Sequence, residues 1–336
     1  MSWLALDIGG ANLKAADGLG HARAYAFAMW REPRRLAQQI RAAIAEAPPC
    51  DHLAVTMTGE LADCFASKAD GVRFILQAVH DGSDHRHCRV YLVDGRLVSP
   101  QVALTAPHLA AASNWHALAR LAGRHAPRGL ALLVDVGSTT CDLVPLREGQ
   151  PAARGTSDTT RLIAGELVYT GVERSPVCAV LASTTYRGQT CPIVHELFAT
   201  MRDVYLVLEK LPEVPGDTHT ADGQPATRDA AVLRLARMIA ADRTTFDTQD
   251  ARRLAEDAAQ AQSRLVSQAI QRIVTEHGRP ETVVLCGHGE FLAREALAQS
   301  LPEVPQVSLT EVLGPLVARC GPAHALAVLA REQLGG

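Results

Sequence analysis

Two segments, Asp7-Ile8-Gly9-Gly10-Ala11-Asn12-Leu13-Lys14 (DIGGANLK) and Asp135-Val136-Gly137-Ser138-Thr139-Thr140-Cys141-Asp142 (DVGSTTCD), decide how this chain is read. Each ends an apolar strand-like run, Trp3–Ile8 in one case and Leu130–Val136 in the other, and each turns through small residues into a returning strand. A single turn of this kind is an ordinary hairpin. Two of them opening equivalent meanders imply a duplication at the scale of a domain. A third glycine turn, Gly287-His288-Gly289, follows the strand-like run Thr282–Cys286 and precedes a helical stretch from Glu290.

Working outward from these turns, Ala22–Met29 alternates like a third strand, and a helical stretch from Pro33 stops at Pro48-Pro49 before a strand at Leu53–Thr58. A polar helix around Lys68–His80, a strand at Arg89–Val93 and a helix from Pro107 to Arg124 complete a first half. The second half repeats the meander and adds a Pro/Gly/Asp/Thr-rich loop at Pro212–Thr227, a candidate lid, and two helical segments across Arg228–His277. The expectation is an α/β chain of two lobes, residues 1–126 and 127–336, each built on a duplicated βββαβαβα core.

Composition narrows the function classes. The 336 residues, 47% of them hydrophobic, suffice for two cores. A net charge of −3 provides no basic field for a nucleic-acid backbone. No stretch reads as a secretory leader or membrane span, so the expected location is the cytoplasm, without membrane or nucleic-acid partners. Eight scattered cysteines read as reduced core residues, and the His80–Cys88 cluster reads as a solvated turn rather than a zinc site. The oligomeric state is undefined by sequence, a homodimer being compatible with it.

An aspartate at a strand end followed by small residues does two things. Its carboxylate projects to hold a hydrated Mg²⁺ or Mn²⁺, while the turn aims backbone N–H groups at an anion. DIGGANLK, DVGSTTCD and VVLCGHGE (residues 283–290) resemble, in order, the two phosphate motifs and the adenosine motif of the actin/hexokinase/Hsp70-like superfamily, whose fold is ribonuclease H-like. VTMTGELADCF (55–65), SNW (113–115), TSDTTRLIAGELVYTGVERSPV (156–177), YRG (186–188), ELFAT (196–200), DVYL (203–206) and LARMIAADR (235–243) are similar to one family of its hydantoinase/oxoprolinase branch. That family is linked to the tetrahydromethanopterin one-carbon pathway and includes the archaeal furan-methanamine synthase of methanofuran biosynthesis.

The resemblance implies a transferase rather than a kinase. A furanylmethyl diphosphate would be condensed with the phenol oxygen of γ-glutamyltyramine, releasing pyrophosphate. In a bacterium the product would be a methylofuran intermediate used in formaldehyde oxidation. The alternative is an ATP-dependent kinase or ATPase, and whether ATP binds is left open. Asp7, Asp135 and Asp142 are the candidate metal carboxylates. Gly9, Gly10, Asn12, Lys14, Gly137, Ser138, Thr139, Thr140, Gly287 and Gly289 are the candidate diphosphate positions. A phenol needs a base, for which Asp158, Glu166 and Glu60 are candidates, with Asp158 first. Arg161 would bind an anionic substrate group such as the glutamyl carboxylate, and Asn114 would line the cleft. Asp158 also suits a helix N-cap, and Lys68 and Arg73 read as a solvated helix face.

Overall fold

In the computed structural model, which describes residues 2–335, the opening run forms an antiparallel meander of β1 (Trp3–Ile8), β2 (Asn12–Ala16) and β3 (Ala22–Ala26). Helix α1 (Leu36–Glu46) leads to β4 (His52–Met57), parallel to β1, and α2 (Lys68–Gly82) leads to β5 (His87–Tyr91), parallel to β4. β6 (Leu97–Val98) ends a sheet ordered β3-β2-β1-β4-β5-β6. The predicted helix from Pro107 to Arg124 is broken. Short helices α3 (Pro100–Thr105) and α4 (Pro107–Ala110) precede α5 (Asn114–Ala122). The break has a physical cause. The buried Ser113 hydroxyl bonds Thr56 and the Tyr91 carbonyl, drawing the chain inward, and Ala112 turns at φ 47°.

The second half repeats this plan. β7 (Leu130–Val136) and β8 (Cys141–Arg147) are antiparallel, and β8 also pairs with the short β9 (Gln150–Pro151) and β10 (Leu167–Val168), with α6 (Asp158–Ala164) between them. A helical insertion follows: α7 (Val177–Val180), the hairpin β11 (Ser183–Tyr186) and β12 (Gln189–Pro192), α8 (Met201–Val207), α9 (Arg228–Arg237) and the long α10 (Thr248–His277). β13 (Thr282–Cys286) returns parallel to β7, and α11 (Glu290–Ser300) leads to the parallel edge strand β14 (Gln306–Ser308). The sheet order β10-β8-β7-β13-β14 reproduces β3-β2-β1-β4-β5 of the first lobe. This is a two-lobed α/β fold with a duplicated core.

Both central strands are apolar because both faces of each sheet are covered. α10 and α11 cover one face of the second sheet, and Trp115, Leu118, Ala119 and Ala122 of α5 cover the other. After α12 (Leu309–Leu313) and α13 (Pro315–Arg319), helix α14 (Gly321–Leu334) runs back to pack Leu326, Leu329 and Ala330 with Trp3, Ala5 and Tyr91. A division at residues 126/127 separates the two sheets, but α14 is built into the first lobe. The lobes therefore exchange helices, and α5 and α14 together form the seam.

The loop at Pro212–Thr227, expected as a lid, adds no residue to the cavity that holds the two glycine turns, although its His219 lines a second cavity with residues 26–42 of the first lobe, and it is fastened by ion pairs. Asp217 pairs with Arg202 at 2.7 Å, and Asp222 pairs with Arg234 and Arg237. Arg234 is wholly buried and also pairs with Asp203 at 2.7 Å. Replacing it leaves a buried carboxylate uncompensated, which costs about 3–5 kcal/mol. Arg234→Ala is expected to lose stability on that scale in urea unfolding and to open residues 212–227 to limited proteolysis while the wild type resists.

Candidate active site between the lobes

The duplicated turns face one another across a cavity of about 420 Å³. Both are closed by the same bond: the Gly9 N–H donates to the Asn12 carbonyl at 2.9 Å, and the Gly137 N–H donates to the Thr140 carbonyl at 2.9 Å. Gly9, Gly10, Asn12, Gly137, Ser138, Thr139 and Thr140 all line the cavity, together with Lys14, Asn114 and the carboxylates Asp7, Asp135, Asp142 and Asp158. Strand register explains the pairing of charges. Lys14 lies directly opposite Asp7, and Asp142 directly opposite Asp135, so equivalent positions carry a cation in one lobe and an anion in the other.

This arrangement concentrates negative charge. Burial pushes the Asp135 carboxyl up to about 7, reinforced by Asp142 and Asp7 and opposed by Lys14. Burial likewise raises Asp7, opposed by Lys14 and Asn114. The Asp7 Oδ1 is buried without a hydrogen-bond partner. Among the described residues no three His, Cys, Asp or Glu side chains converge closely enough to hold a metal ion by themselves. A divalent ion here needs oxygens from a ligand and from water beside one or two carboxylates, the usual habit of Mg²⁺.

The three candidate bases separate clearly. Asp158 lines the cavity and is held at 2.6 Å by Lys68 of the opposite lobe. Lys68 is therefore a bridge between lobes, not part of a solvated face, whereas the exposed Arg73 pairs with Asp70 on its own helix. The N-cap of α6 is Ser157, whose hydroxyl accepts from the Thr160 N–H; Asp158 is the first helical residue, leaving its carboxylate free for Lys68. Glu166 is not a base. It is fully buried, and its two oxygens accept from the backbone N–H groups of Arg154 and Gly155. Glu60 is also withdrawn from the cavity, buried beneath α2 with neither carboxyl oxygen well bonded, and burial pushes it up to about 7.

Two further expectations are corrected. Arg161 is 1% exposed and already committed: it donates to Asp142 at 2.7 Å and to the Glu166 carbonyl at 2.9 Å, and its guanidinium stacks 4.1 Å from the Trp115 ring centre. It positions Asp142 rather than binding a substrate carboxylate. Gly287 and Gly289 lie behind the second turn rather than in the cavity. Gly287 has φ 87°, and a Cβ there would stand 2.6 Å from the Asp135 carboxyl; the Gly289 N–H donates to the Val136 carbonyl. Between them, His288 lies 3.1 Å from Glu173.

Residues with no role evident in the sequence complete the cavity. Trp30, Leu61, Asp63, Tyr169 and Arg174 line the same cavity. Arg174 and Tyr169 fall within the 156–177 stretch, but Trp30 has no motif around it. It is placed by the Met29 N–H, which donates to the Gly10 carbonyl of the first turn. Gly171 sets the second turn: a Cβ there would meet the Ser138 carbonyl carbon and the Thr139 nitrogen, each at 2.4 Å.

A model of the hydantoinase/oxoprolinase family matches residues 51–332. A protein of Methanocaldococcus jannaschii called (4-{4-[2-(gamma-L-glutamylamino)ethyl]phenoxymethyl}furan-2-yl)methanamine synthase is 30% identical over 336 residues, spanning 98% of each chain. A protein of the same name from Methanococcus vannielii is 26% identical over 205 residues, 60% of this chain and 91% of that one. Among solved structures, the inorganic polyphosphate/ATP-glucomannokinase of Arthrobacter sp. strain KM aligns over 99% of both chains at 13% identity and a TM-score of 0.45.

Glu60 generates a pH prediction. Its folded-state pKa lies above the unfolded value, so the folded chain holds the proton more tightly, and stability is lost as pH rises from the ordinary carboxylate range to about 7. The loss is about 3 kcal/mol by pH 8. Urea unfolding at pH 5 and pH 8 should show a smaller drop for Glu60→Gln than for the wild type. Gly171→Ala should displace the second turn and lower stability in urea unfolding by about 1–3 kcal/mol.

Proposed function

The chain belongs to the hydantoinase/oxoprolinase family, and from that premise we propose that it is a transferase of methanofuran or methylofuran biosynthesis. It condenses an aminomethylfuran-methyl diphosphate with the phenol oxygen of γ-glutamyltyramine and releases pyrophosphate. The observation that carries this reading is the pair of facing amide turns over a carboxylate floor, in a chain similar from end to end to a protein whose name describes an aryl ether of a furan-methanamine.

The reaction breaks the carbon–oxygen bond between the furanylmethyl carbon and the diphosphate, and the electron pair leaves with pyrophosphate. The phenol oxygen forms the new bond to that carbon and gives up its proton. Such a departure is accelerated by donors and cations aimed at the leaving oxygens. The turn residues Gly10 to Asn12 and Ser138 to Thr140 line the cavity with Lys14, and their N–H groups and the ammonium would supply such donors. Asp7 and Asp135, with Asp142 behind them, fit Mg²⁺ or Mn²⁺, since Asp7 Oδ1 has no partner and the cluster is short of positive charge. When bound, the ion neutralises charge developing on the diphosphate.

Arg161 keeps Asp142 turned into the floor. Asp158, the one candidate base that lines the cavity, accepts the phenol proton, with Lys68 fixing its orientation. Closed lobes exclude water that would otherwise trap the furanylmethyl centre as the alcohol. The distal turn speaks against a nucleotide, since its glycines are used in packing on Val136 and Asp135 and His288 is turned to Glu173.

Incubation of the enzyme with the furan diphosphate, γ-glutamyltyramine and Mg²⁺ should release pyrophosphate only when the phenol is present, and no ADP should form from ATP. ADP formation without pyrophosphate release would contradict the assignment. Asp7→Asn and Asp135→Asn should each lower kcat at least about 100-fold. Asp158→Asn should lower kcat with little change in pyrophosphate affinity measured by calorimetry.

A further inference from the structure

The cavity floor is acidic, but its mouth is aromatic. Trp30 of the first lobe and Tyr169 of the second are 36% and 58% exposed, and Leu61, at 50%, stands between the turns and solvent. Exposed large apolar groups inside a charged cleft have no role in holding a diphosphate. A phosphate site is served by amides and cations, and an apolar surface beside it is instead suited to a flat hydrophobic group.

Arg174 gives this surface polarity. Its guanidinium stacks 4.7 Å from the Trp30 ring centre, reaching from the second lobe to the first. Among the described residues it has no carboxylate partner, unlike Arg161, Arg202 and Arg234, which are all paired. Backbone bonds anchor both members of the stack to the phosphate turns. The Arg174 N–H donates to the Ser138 carbonyl at 2.9 Å, and the Met29 N–H, one residue before Trp30, donates to the Gly10 carbonyl at 2.9 Å. The indole and the guanidinium are thus held at a fixed place relative to the site of chemistry.

We infer that Trp30, Leu61 and Tyr169 form the subsite for the arene of the acceptor, and that Arg174 reads a carboxylate on the acceptor's far end. Trp30 packs against the ring of a phenol whose hydroxyl points inward to the reacting carbon. Arg174, its orientation fixed on the indole, is a planar fork suited to a carboxylate, and stacking leaves its outer N–H groups available. The inference rests on the ether-forming reading. It deepens that reading by naming what selects the acceptor: an aryl ring at the mouth and an anionic tail at the rim.

Titration calorimetry on the full chain with pyrophosphate and Mg²⁺ present tests it, with γ-glutamyltyramine and tyramine as the two probes. Trp30→Ala should weaken γ-glutamyltyramine about tenfold, and Trp30→Phe should restore most of it, because a ring remains to stack. Arg174→Ala should weaken γ-glutamyltyramine about tenfold and leave tyramine, which lacks a carboxylate, within about twofold. Pyrophosphate itself should bind all three variants as it binds the wild type.

A spectroscopic readout supports the same point. Trp3 lies outside the cavity and Trp115 is buried in its wall against Arg161, so acceptor binding to the wild type should change the emission mainly of the exposed Trp30, and Trp30→Phe should remove most of that change. Unchanged γ-glutamyltyramine affinity in Trp30→Ala and Arg174→Ala overturns the subsite while leaving the reaction standing. Loss of pyrophosphate affinity in Arg174→Ala overturns it too, by making that residue part of the diphosphate cradle. Wild-type enzyme that binds neither phenol overturns the ether-forming reading itself.

Discussion

The structure is organised around the repulsion between carboxylates brought to the ends of two equivalent strands. β1 delivers Asp7 and β7 delivers Asp135 to the same cavity, and strand register adds Asp142 opposite Asp135. Water solvates such a cluster poorly once the lobes are in contact, and burial together with the neighbouring acids pushes Asp135 up to about 7. The surroundings relieve the strain piece by piece. Lys14 stands across from Asp7, Arg161 takes one oxygen of Asp142, and the glycine turns line the space between. The cavity is still short of positive charge, and Asp7 Oδ1 is left without a hydrogen-bond partner.

The interlobe contacts follow from the same arrangement. Arg161 comes from the second lobe, grips Asp142 of its own sheet and stacks on Trp115 of the crossing helix α5, so a carboxylate in the floor and the packing of the seam share one side chain. Lys68 and Asp158 join the lobes at the opposite wall, and Arg174 and Trp30 join them at the mouth. Three cations thus connect the lobes around one cavity, Arg161 at its floor and Lys68 and Arg174 nearer solvent. Relative movement of the lobes would change the positions of the candidate base, the floor and the acceptor wall together.

Much of the fold is legible in the sequence because its constraints are local. A buried parallel strand must be apolar along its length, and a sharp turn at its end favours small residues, so DIGGANLK and DVGSTTCD declare both the duplication and the paired turns. The roles of Glu166, Arg161 and Gly287 are not legible, since each depends on partners distant in the chain or across a strand pair: the amides of residues 154 and 155, the Asp142 carboxylate and the Asp135 side chain. An acid or arginine inside a motif reads equally well as chemistry or as scaffold until those partners are known. Lys68 is missed for the converse reason, because a lysine at a helix start reads as solvated unless the other lobe is in view. Trp30 leaves no pattern in the sequence, being placed by a single backbone bond from the residue before it.

The central claim is that carbon, not phosphorus, is the centre attacked. A donor carrying ¹⁸O in the bridge between the furanylmethyl carbon and the diphosphate distinguishes the two by mass spectrometry of the products. Attack at carbon sends the label entirely into pyrophosphate, and the ether oxygen comes from the phenol. Label retained on the furanylmethyl fragment would mean that a phosphorus–oxygen bond had broken, and the cavity would then have to be understood as a phosphoryl-transfer site.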